Sequence, residues 1–550
     1  MHLSGHHATR AALAAAVSAA LLIGTPATAG ARVDDATLTP HTHFVMAADG
    51  SSGSTARGAD IPNIDSVKST IRTYYNASSA GIANKDSSPY ITEIKALEAN
   101  VLAQIPQAPA PNLAVVFDAD DTTLSTYDME DGAMHFNFDP ALQNTYVQQR
   151  KFPATPGMVD FVAAVKAKGY DIYGITGRTN DQEAATLANL QDVGYTEFDA
   201  DNFFTKWTAQ PGGTALPQPS YVDCAADSDA SKCSTVEYKA ATRRHIQDDL
   251  GKTIVLNIGD QFSDLQGGYA LHNVKLPNPT YYLPSLDLTT PGPGDPAGQP
   301  RTEFDMAADG SSGATEGGEG IPNIDSVKST IRTYYGAVNG RANTSASPYV
   351  SEMKALAATW SDKLAKSCAR GVRKHQKPAV VFDADDTTLM TYDMEDAAMH
   401  FNFDPALQNT FVQEERFPAT PGMVKVVRTA ARNGCKVVGL TGRNNAQRTA
   451  TLDNLAKFYF SKKTDQPLFR SQYYFTKFTS TDTPPAYVDC AQDADATKCS
   501  TIEYKSSTRN YVEDHYGFRI VANFGDQFSD LIGGHSAKVV KLPNPTYYLP

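Results

Sequence analysis

The sequence predicts an α/β fold built twice: two tandem Rossmann-like domains, each a mainly parallel sheet between helices with at most a small cap. Three observations predict it. Short apolar runs alternate with helical patterns along the chain. The apolar runs end abruptly in carboxylates, threonines or glycines. And the whole pattern recurs: VVFDADDTTL occupies 115–124 and 380–389, IPNIDSVKSTIRTYY occupies 61–75 and 321–335, and KLPNPTYYLP lies at 275–284 and 541–550. A period near 265 residues is a duplicated domain rather than a solenoid. Alternating strands and helices imply a parallel sheet covered on both faces, and such sheets bind ligands beyond the carboxyl ends of their strands.

In the first copy, LAVVFDAD is a short apolar run and reads as a buried strand. TPGMVDFVAAVKAKG reads as a helix with Thr155 as N-cap and Pro156 in its first turn, stopped at Gly169. DIYGITGR is the next strand. Ser234-Thr235-Val236-Glu237 is a capping box that opens a helix running towards Gly251, and TIVLNIGD is the strand after it. The domains expected are 60–284 and 320–550. A Pro- and Gly-rich linker at 285–319 separates them, so each copy is expected to act on its own.

With 550 residues, the chain exceeds one ordinary core. A net charge of −13 argues against nucleic acid as a partner, since phosphate backbones are held by basic patches. Residues 1–29 read as a signal peptide: Arg10, then an alanine-rich apolar run from Ala11 to Gly24, then the small-residue site Ala27-Thr28-Ala29. The run is too short to span a bilayer well. A secreted, extracellular protein, without membrane attachment after cleavage, is therefore expected, with 30–59 as a flexible N-terminal segment.

Six cysteines suit an oxidising compartment. Cys224 and Cys233 share a C-x8-C spacing with Cys490 and Cys499, and local pairs are expected. Cys368 and Cys435 exist only in the second copy; each precedes a core strand, and adjacent parallel strands would bring them together. Each short closure is worth about 2–3 kcal/mol in the chain-entropy account.

The chemistry lies at three strand ends. The first copy offers Asp118-Ala119-Asp120, then Thr176-Gly177-Arg178, then Asp260 and Asp264 in G-D-x-x-x-D, with Lys239 in the capped helix before the last. The second copy offers Asp383, Asp385, Thr441, Arg443, Lys505, Asp526 and Asp530. Carboxylates this crowded repel unless a cation joins them, and oxygen-only ligands favour Mg²⁺, which leaves room for a phosphate oxygen. One carboxylate could attack phosphorus while a neighbour moves a proton. Turn-forming aspartates would explain Asp118 and Asp120 alone, but not with the downstream motif as well. Lys206 in FFTKW and Lys477 in YFTKF compete with Lys239 and Lys505 for the phosphate. Arg178 and Arg443 either bind substrate or close the turn. Asp121 is expected to cap the next turn.

D-x-D-x-T after an apolar strand, a later strand ending in Thr, a lysine, then G-D-x-x-x-D resembles the four-motif pattern of haloacid-dehalogenase (HAD) superfamily phosphatases. ITGR, NIGDQFSDLQGG and KLPNPTYYLP look like its acid phosphatase branch, which includes plant vegetative storage proteins. The resemblance implies Asp118 as nucleophile and Asp120 as the acid that protonates the leaving alcohol. It implies Thr176 and Lys239 as phosphoryl holders, and Asp260 and Asp264 as Mg²⁺ ligands with Asp118 and the main-chain carbonyl of Asp120. Asp383, Asp385, Thr441, Lys505, Asp526 and Asp530 take the same roles in the second copy. The activity so implied is hydrolysis of small phosphomonoesters at two sites. The alternatives are transfer to an alcohol acceptor, or a storage protein with little turnover.

Overall fold

The computed structural model describes residues 61–108, 110–225, 233–283, 320–491 and 498–549. The proposed signal peptide and linker lie outside them. In the first copy the strands are β1 (Leu113–Phe117), β2 (Asp171–Thr179), β3 (Phe203–Lys206), β4 (Thr253–Gly259) and β5 (His272–Lys275). They form one sheet in the order β3-β2-β1-β4-β5, every pairing parallel. In the second copy β6 (Lys377–Phe382) and β7 (Lys436–Asn444) are followed by a small antiparallel hairpin of β8 (Phe460–Ser461) and β9 (Gln466–Pro467). Then come β10 (Tyr474–Lys477), β11 (Phe518–Gly525) and β12 (Val539–Lys541), and the sheet order β10-β7-β6-β11-β12 repeats the first.

The central strand β1 shows why the motif looks contradictory in sequence. Ala114, Val115, Val116 and Phe117 are buried on both faces of the sheet, as a parallel strand requires, and the chain then turns out of the core at Asp118. Its neighbours β2 and β4 end at the same edge, so all three reactive strand ends converge.

Helices follow the sequence signals with one correction. The helix Thr235–Asp248 opens with the expected capping box of Ser234 and Glu237. The helix Met158–Ala167, however, is capped by Gly157 in the left-handed conformation (φ 87°), without a side-chain cap. Thr155 is therefore not its N-cap: the tight turn from Thr155 to Met158, closed by a main-chain hydrogen bond, moves the start two residues on. Disulfides join Cys224–Cys233, Cys490–Cys499 and Cys368–Cys435, with Cα separations of 4.5, 4.6 and 5.2 Å. The last ties the long helix Pro348–Arg373 to the start of β7.

The two copies are joined by direct contacts between them. Helix α1 (Ile64–Tyr74) lies across the junction. Its C-terminal end serves its own copy: Arg72 forms a paired contact with Asp131 at 2.7 and 2.9 Å, and Tyr75 just beyond it stacks on Tyr127 at 4.0 Å. Its N-terminal end bonds to the second copy. The equivalent helix α2 (Ile324–Tyr335) does the reverse, with Arg332 on Asp396 and its N-terminal end on the first copy. Between them Asn137 donates to the carbonyl of His400 and Asn402 to that of His135, each at 3.1 Å. A repeated, identical sequence has formed a reciprocal interface, as in an isologous dimer.

Candidate active site

At the carboxyl end of the first sheet, Lys239 Nζ lies 2.5 Å from Asp118 Oδ1 and 2.7 Å from Asp264 Oδ1, with all three side chains buried. Asp118 is delivered by the end of β1 and Lys239 by the first turns of the capped helix. Asp264 comes from the one-turn helix after β4. In the second copy Lys505 Nζ contacts Asp383 Oδ1 at 2.7 Å and Asp530 Oδ1 even more closely. Lys206 is elsewhere: it donates to the carbonyl of Cys233 at 2.8 Å, and Lys477 donates to Thr501 Oγ1. The competing lysines thus brace the loop before the capped helix, and the capped helix supplies the site lysine.

Asp118, Asp260 and Asp264 each offer an oxygen within 4.8 Å of the others, as do Asp383, Asp526 and Asp530. Burial pushes the Asp118 and Asp383 carboxyls well above their usual range, against the pull of the neighbouring lysine. Burial and the adjacent Asp264 carry Asp260 up to about 7. Burial also opposes a charge on Lys239, but Asp118 and Asp264 outweigh it and hold the ammonium protonated. The donor set fits a small hard cation. It is all oxygen, it is too crowded to ionise fully alone, and Asp260 Oδ1 is buried with no hydrogen-bond partner while Oδ2 is bound by neighbours. Asp120 does not join the carboxylate cluster, so a metal role for it rests on its main-chain carbonyl.

Asp120 is instead held by Arg178, whose Nε and Nη2 reach its two oxygens at 3.1 and 2.6 Å while Nη1 donates to Thr186. Arg443 treats Asp385 and Thr451 alike. Buried and in a bidentate pair, Arg178 and Arg443 hold the neighbouring carboxylate, and Arg443 also lines the cavity in front of the second site. The Asp120 side chain keeps 25% of its surface exposed, where Asp118 keeps 7%; of the pair, Asp120 is the one open to solvent. Thr176 is buried at the end of β2, its Oγ1 accepting from Arg178 N at 3.2 Å. Asp121 caps the following turn, bound by the main-chain N and hydroxyl of Thr126. It sits in the left-handed region at φ 47°, a strained conformation for a non-glycine residue that this cap pins in place.

The cavity in front of the second site measures about 460 Å³. Asp383, Asp385 and Lys505 lie on its wall with Met394, Phe403 and Leu549, an apolar surround for a leaving group. Several functional neighbours were not assigned from sequence. Asn278 donates to Asp260 Oδ2 at 2.7 Å, and Asn544 to Asp526 Oδ2 at 2.8 Å, with Tyr547 adding its hydroxyl to the latter at 3.1 Å. Arg243, one turn beyond Lys239, donates to the carbonyls of Asp264, Gln266 and Gly268 and so fixes the loop carrying Asp264. The signal for the asparagines was the verbatim repeat KLPNPTYYLP; its repetition was visible, its chemistry was not. Buried Glu130 and Glu395, pushed up by burial, gave no such signal.

A family model described as HAD superfamily, subfamily IIIB (acid phosphatase) matches residues 61–284 and again residues 331–550. The chain belongs to this family. Its two matches fall on the two sheets and their converging strand ends. Among curated relatives, the stem 28 kDa glycoprotein of Glycine max is 32% identical over 32% of this chain and 61% of its own length. Acid phosphatase 1 of Solanum lycopersicum is 31% identical over 31% of this chain and 58% of its own. The chain thus spans about three-fifths of the length of these relatives. Among solved structures, the class C acid phosphatase from Bacillus anthracis aligns at 19% identity with a TM-score of 0.25, covering 36% of this chain and 71% of that one. Among the described residues, no helix of this subfamily IIIB chain is long and apolar enough to cross a membrane.

Proposed function

We propose that this protein is a secreted, Mg²⁺-dependent acid phosphatase that hydrolyses small phosphomonoesters at two sites through an aspartyl-phosphate. One arrangement carries the reading: in both copies a buried lysine bridges two aspartates beside a third carboxylate, and in the first copy that third, Asp260, keeps an oxygen without a hydrogen-bond partner. Family membership and the tomato relative's name support the reaction class. The A-x-A site at 27–29 and three disulfides support secretion.

In this reading Asp118 Oδ attacks phosphorus, and the P–O bond to the leaving alcohol breaks. Asp120, oriented by Arg178 and open to solvent, delivers the proton that the departing alkoxide takes up. The same carboxylate then removes a proton from water, which attacks the phosphorus of the aspartyl-phosphate and frees Asp118 with inorganic phosphate. Lys239 holds a phosphoryl oxygen once substrate draws it from its carboxylate partners, and Thr176 closes the same pocket. Mg²⁺ held by Asp118, Asp260, Asp264 and the Asp120 carbonyl would neutralise the charge of the phosphoryl group. Aspartates at the nucleophile position of both copies favour turnover over a storage role.

The test is hydrolysis of a generic phosphomonoester by the full chain, before and after exhaustive chelation and with Mg²⁺ restored. Expected is loss and recovery of turnover, with trapping of an acid-stable phosphoenzyme abolished in the Asp118→Asn/Asp383→Asn variant. Metal-independent hydrolysis, or hydrolysis by that variant, would overturn the reading.

A further inference from the structure

The second site has a wall that its own copy does not supply. Asn63, the residue before α1, donates its side-chain amide to the carbonyls of Asn544 and Tyr547, at 3.0 and 2.6 Å. Ile64 N donates to the carbonyl of Pro545 at 2.9 Å. Asp65 Oδ2 accepts from Tyr548 N at 3.1 Å, and Asp65 also lies on the wall of the second site's cavity. Four hydrogen bonds from the N-terminal end of α1 thus hold the segment 544–548, which lies more than 470 residues away in the other copy. That segment carries Asn544 and Tyr547, both bonded to Asp526 Oδ2.

The first site is built the same way by α2. Asn323 donates to the carbonyls of Asn278 and Tyr281 at 2.9 and 2.6 Å, Ile324 N to that of Pro279 at 2.9 Å, and Asp325 accepts from Tyr282 N at 3.2 Å. Asn278 in turn bonds Asp260. The lysine one turn on repeats the exchange. Lys68 reaches the carbonyl of Phe401 and, at 3.0 Å, Asn402 Oδ1; Lys328 reaches the carbonyl of Phe136. These lysines are buried, and among the described residues their hydrogen-bond and ion-pair partners are groups of the opposite copy and Asp65 or Asp325.

We infer that the duplication is functional at the level of the site: α1 positions the metal-binding carboxylates of the second site and α2 those of the first. Asn63, Asp65, Asn323 and Asp325 are therefore positioning residues acting in the copy opposite to their sequence. They work through the Asn544–Asp526 and Asn278–Asp260 hydrogen bonds. This rests on the phosphatase reading of the sites. Asn63 and Asn323 also cap their own helices by accepting from Asp65 N and Asp325 N at 3.0 Å. A serine keeps that cap but is too short to span to the other copy's carbonyls.

The experiment uses the full chain with one nucleophile removed at a time, so that only one site turns over. Asp118→Asn reports on the second site and Asp383→Asn on the first. Asn63→Ser is expected to raise at least tenfold both the Mg²⁺ concentration for half-maximal activity and the Kd for Mg²⁺ measured by calorimetry in the Asp118→Asn background, and to leave both unchanged in the Asp383→Asn background. Asn323→Ser should give the opposite pattern. Asp65→Ala, a change at a partly exposed side chain, gives the same crossed reading if Asn63→Ser lowers the yield of folded protein. An effect confined to the same copy as the mutation, or equal in both backgrounds, would overturn the inference while leaving the catalytic reading intact. Residual turnover in the Asp118→Asn/Asp383→Asn variant would instead overturn the catalytic reading itself.

Discussion

Asn278 donates its side-chain amide to Asp260 Oδ2 at 2.7 Å, leaving Oδ1 of the same buried carboxylate without a protein partner. If Asp260 ligates the proposed metal, Asn278 orients it as outer groups tune a ligating carboxylate. Asn278→Ala should therefore weaken Mg²⁺ affinity at the first site by about 10–100-fold, the range usual for such outer partners. Metal titration of activity in the Asp383→Asn background checks this, and an unchanged titration would show that Asp260 is held well enough without Asn278.

Lys239 bridges Asp118 and Asp264, whereas Lys206 donates to the carbonyl of Cys233. Lys239→Met, in the same background, should lower kcat by about 10²–10³-fold, the cost of losing one preorganised group that stabilises transition-state charge. Lys206→Met should lower it far less, since that lysine braces the carbonyl of Cys233. Steady-state kinetics of the two variants decide the matter, and equal losses would return both lysines to contention.

Much of this site could be read before any coordinates. The β1 edge was legible because a both-faces-buried strand cannot tolerate Asp118 unless the chain leaves the sheet there. The helix that carries Lys239 was legible because its capping box fixed it. The cap of the helix Met158–Ala167 was not, because Thr155 satisfies the usual rule while Gly157 meets the real geometry, a left-handed residue. Arg178 was ambiguous because a guanidinium serves substrate and carboxylate equally well; its pairing with Asp120 could be seen only in three dimensions. The exchange of α1 and α2 was illegible for a deeper reason. Two identical segments can pair within or between copies, and a linker rich in Pro and Gly permits both.

The two nucleophile positions should be additive despite the shared interface, since neither aspartate lies in it. Asp118→Asn should leave roughly half the turnover, and Asp118→Asn with Asp383→Asn should leave none, because a carboxamide cannot attack phosphorus. Phosphatase assays on matched concentrations of folded protein test this. Near-total loss in either single variant would mean that only one copy turns over.

Glu98 offers a pH-dependent prediction away from the site. It lies in the helix Pro89–Gln104, its carboxyl packed against Gly157, and Oε1 has no hydrogen-bond partner. Burial pushes it from the ordinary 4.5 up to about 8, with Lys95 opposing. The second copy places Ala357 against Gly422 instead, which shows that no carboxylate is needed there. The folded state thus binds a proton that the unfolded state has released by about pH 5. Its stability contribution is present below pH 4.5 and is lost as pH rises towards 8. Glu98→Gln, nearly isosteric and always neutral, should leave Tm unchanged near pH 4.5 and raise it progressively up to pH 8 and above. Thermal melts across that range test the sign, and a Tm difference that is constant with pH would show that Glu98 is not the group that titrates.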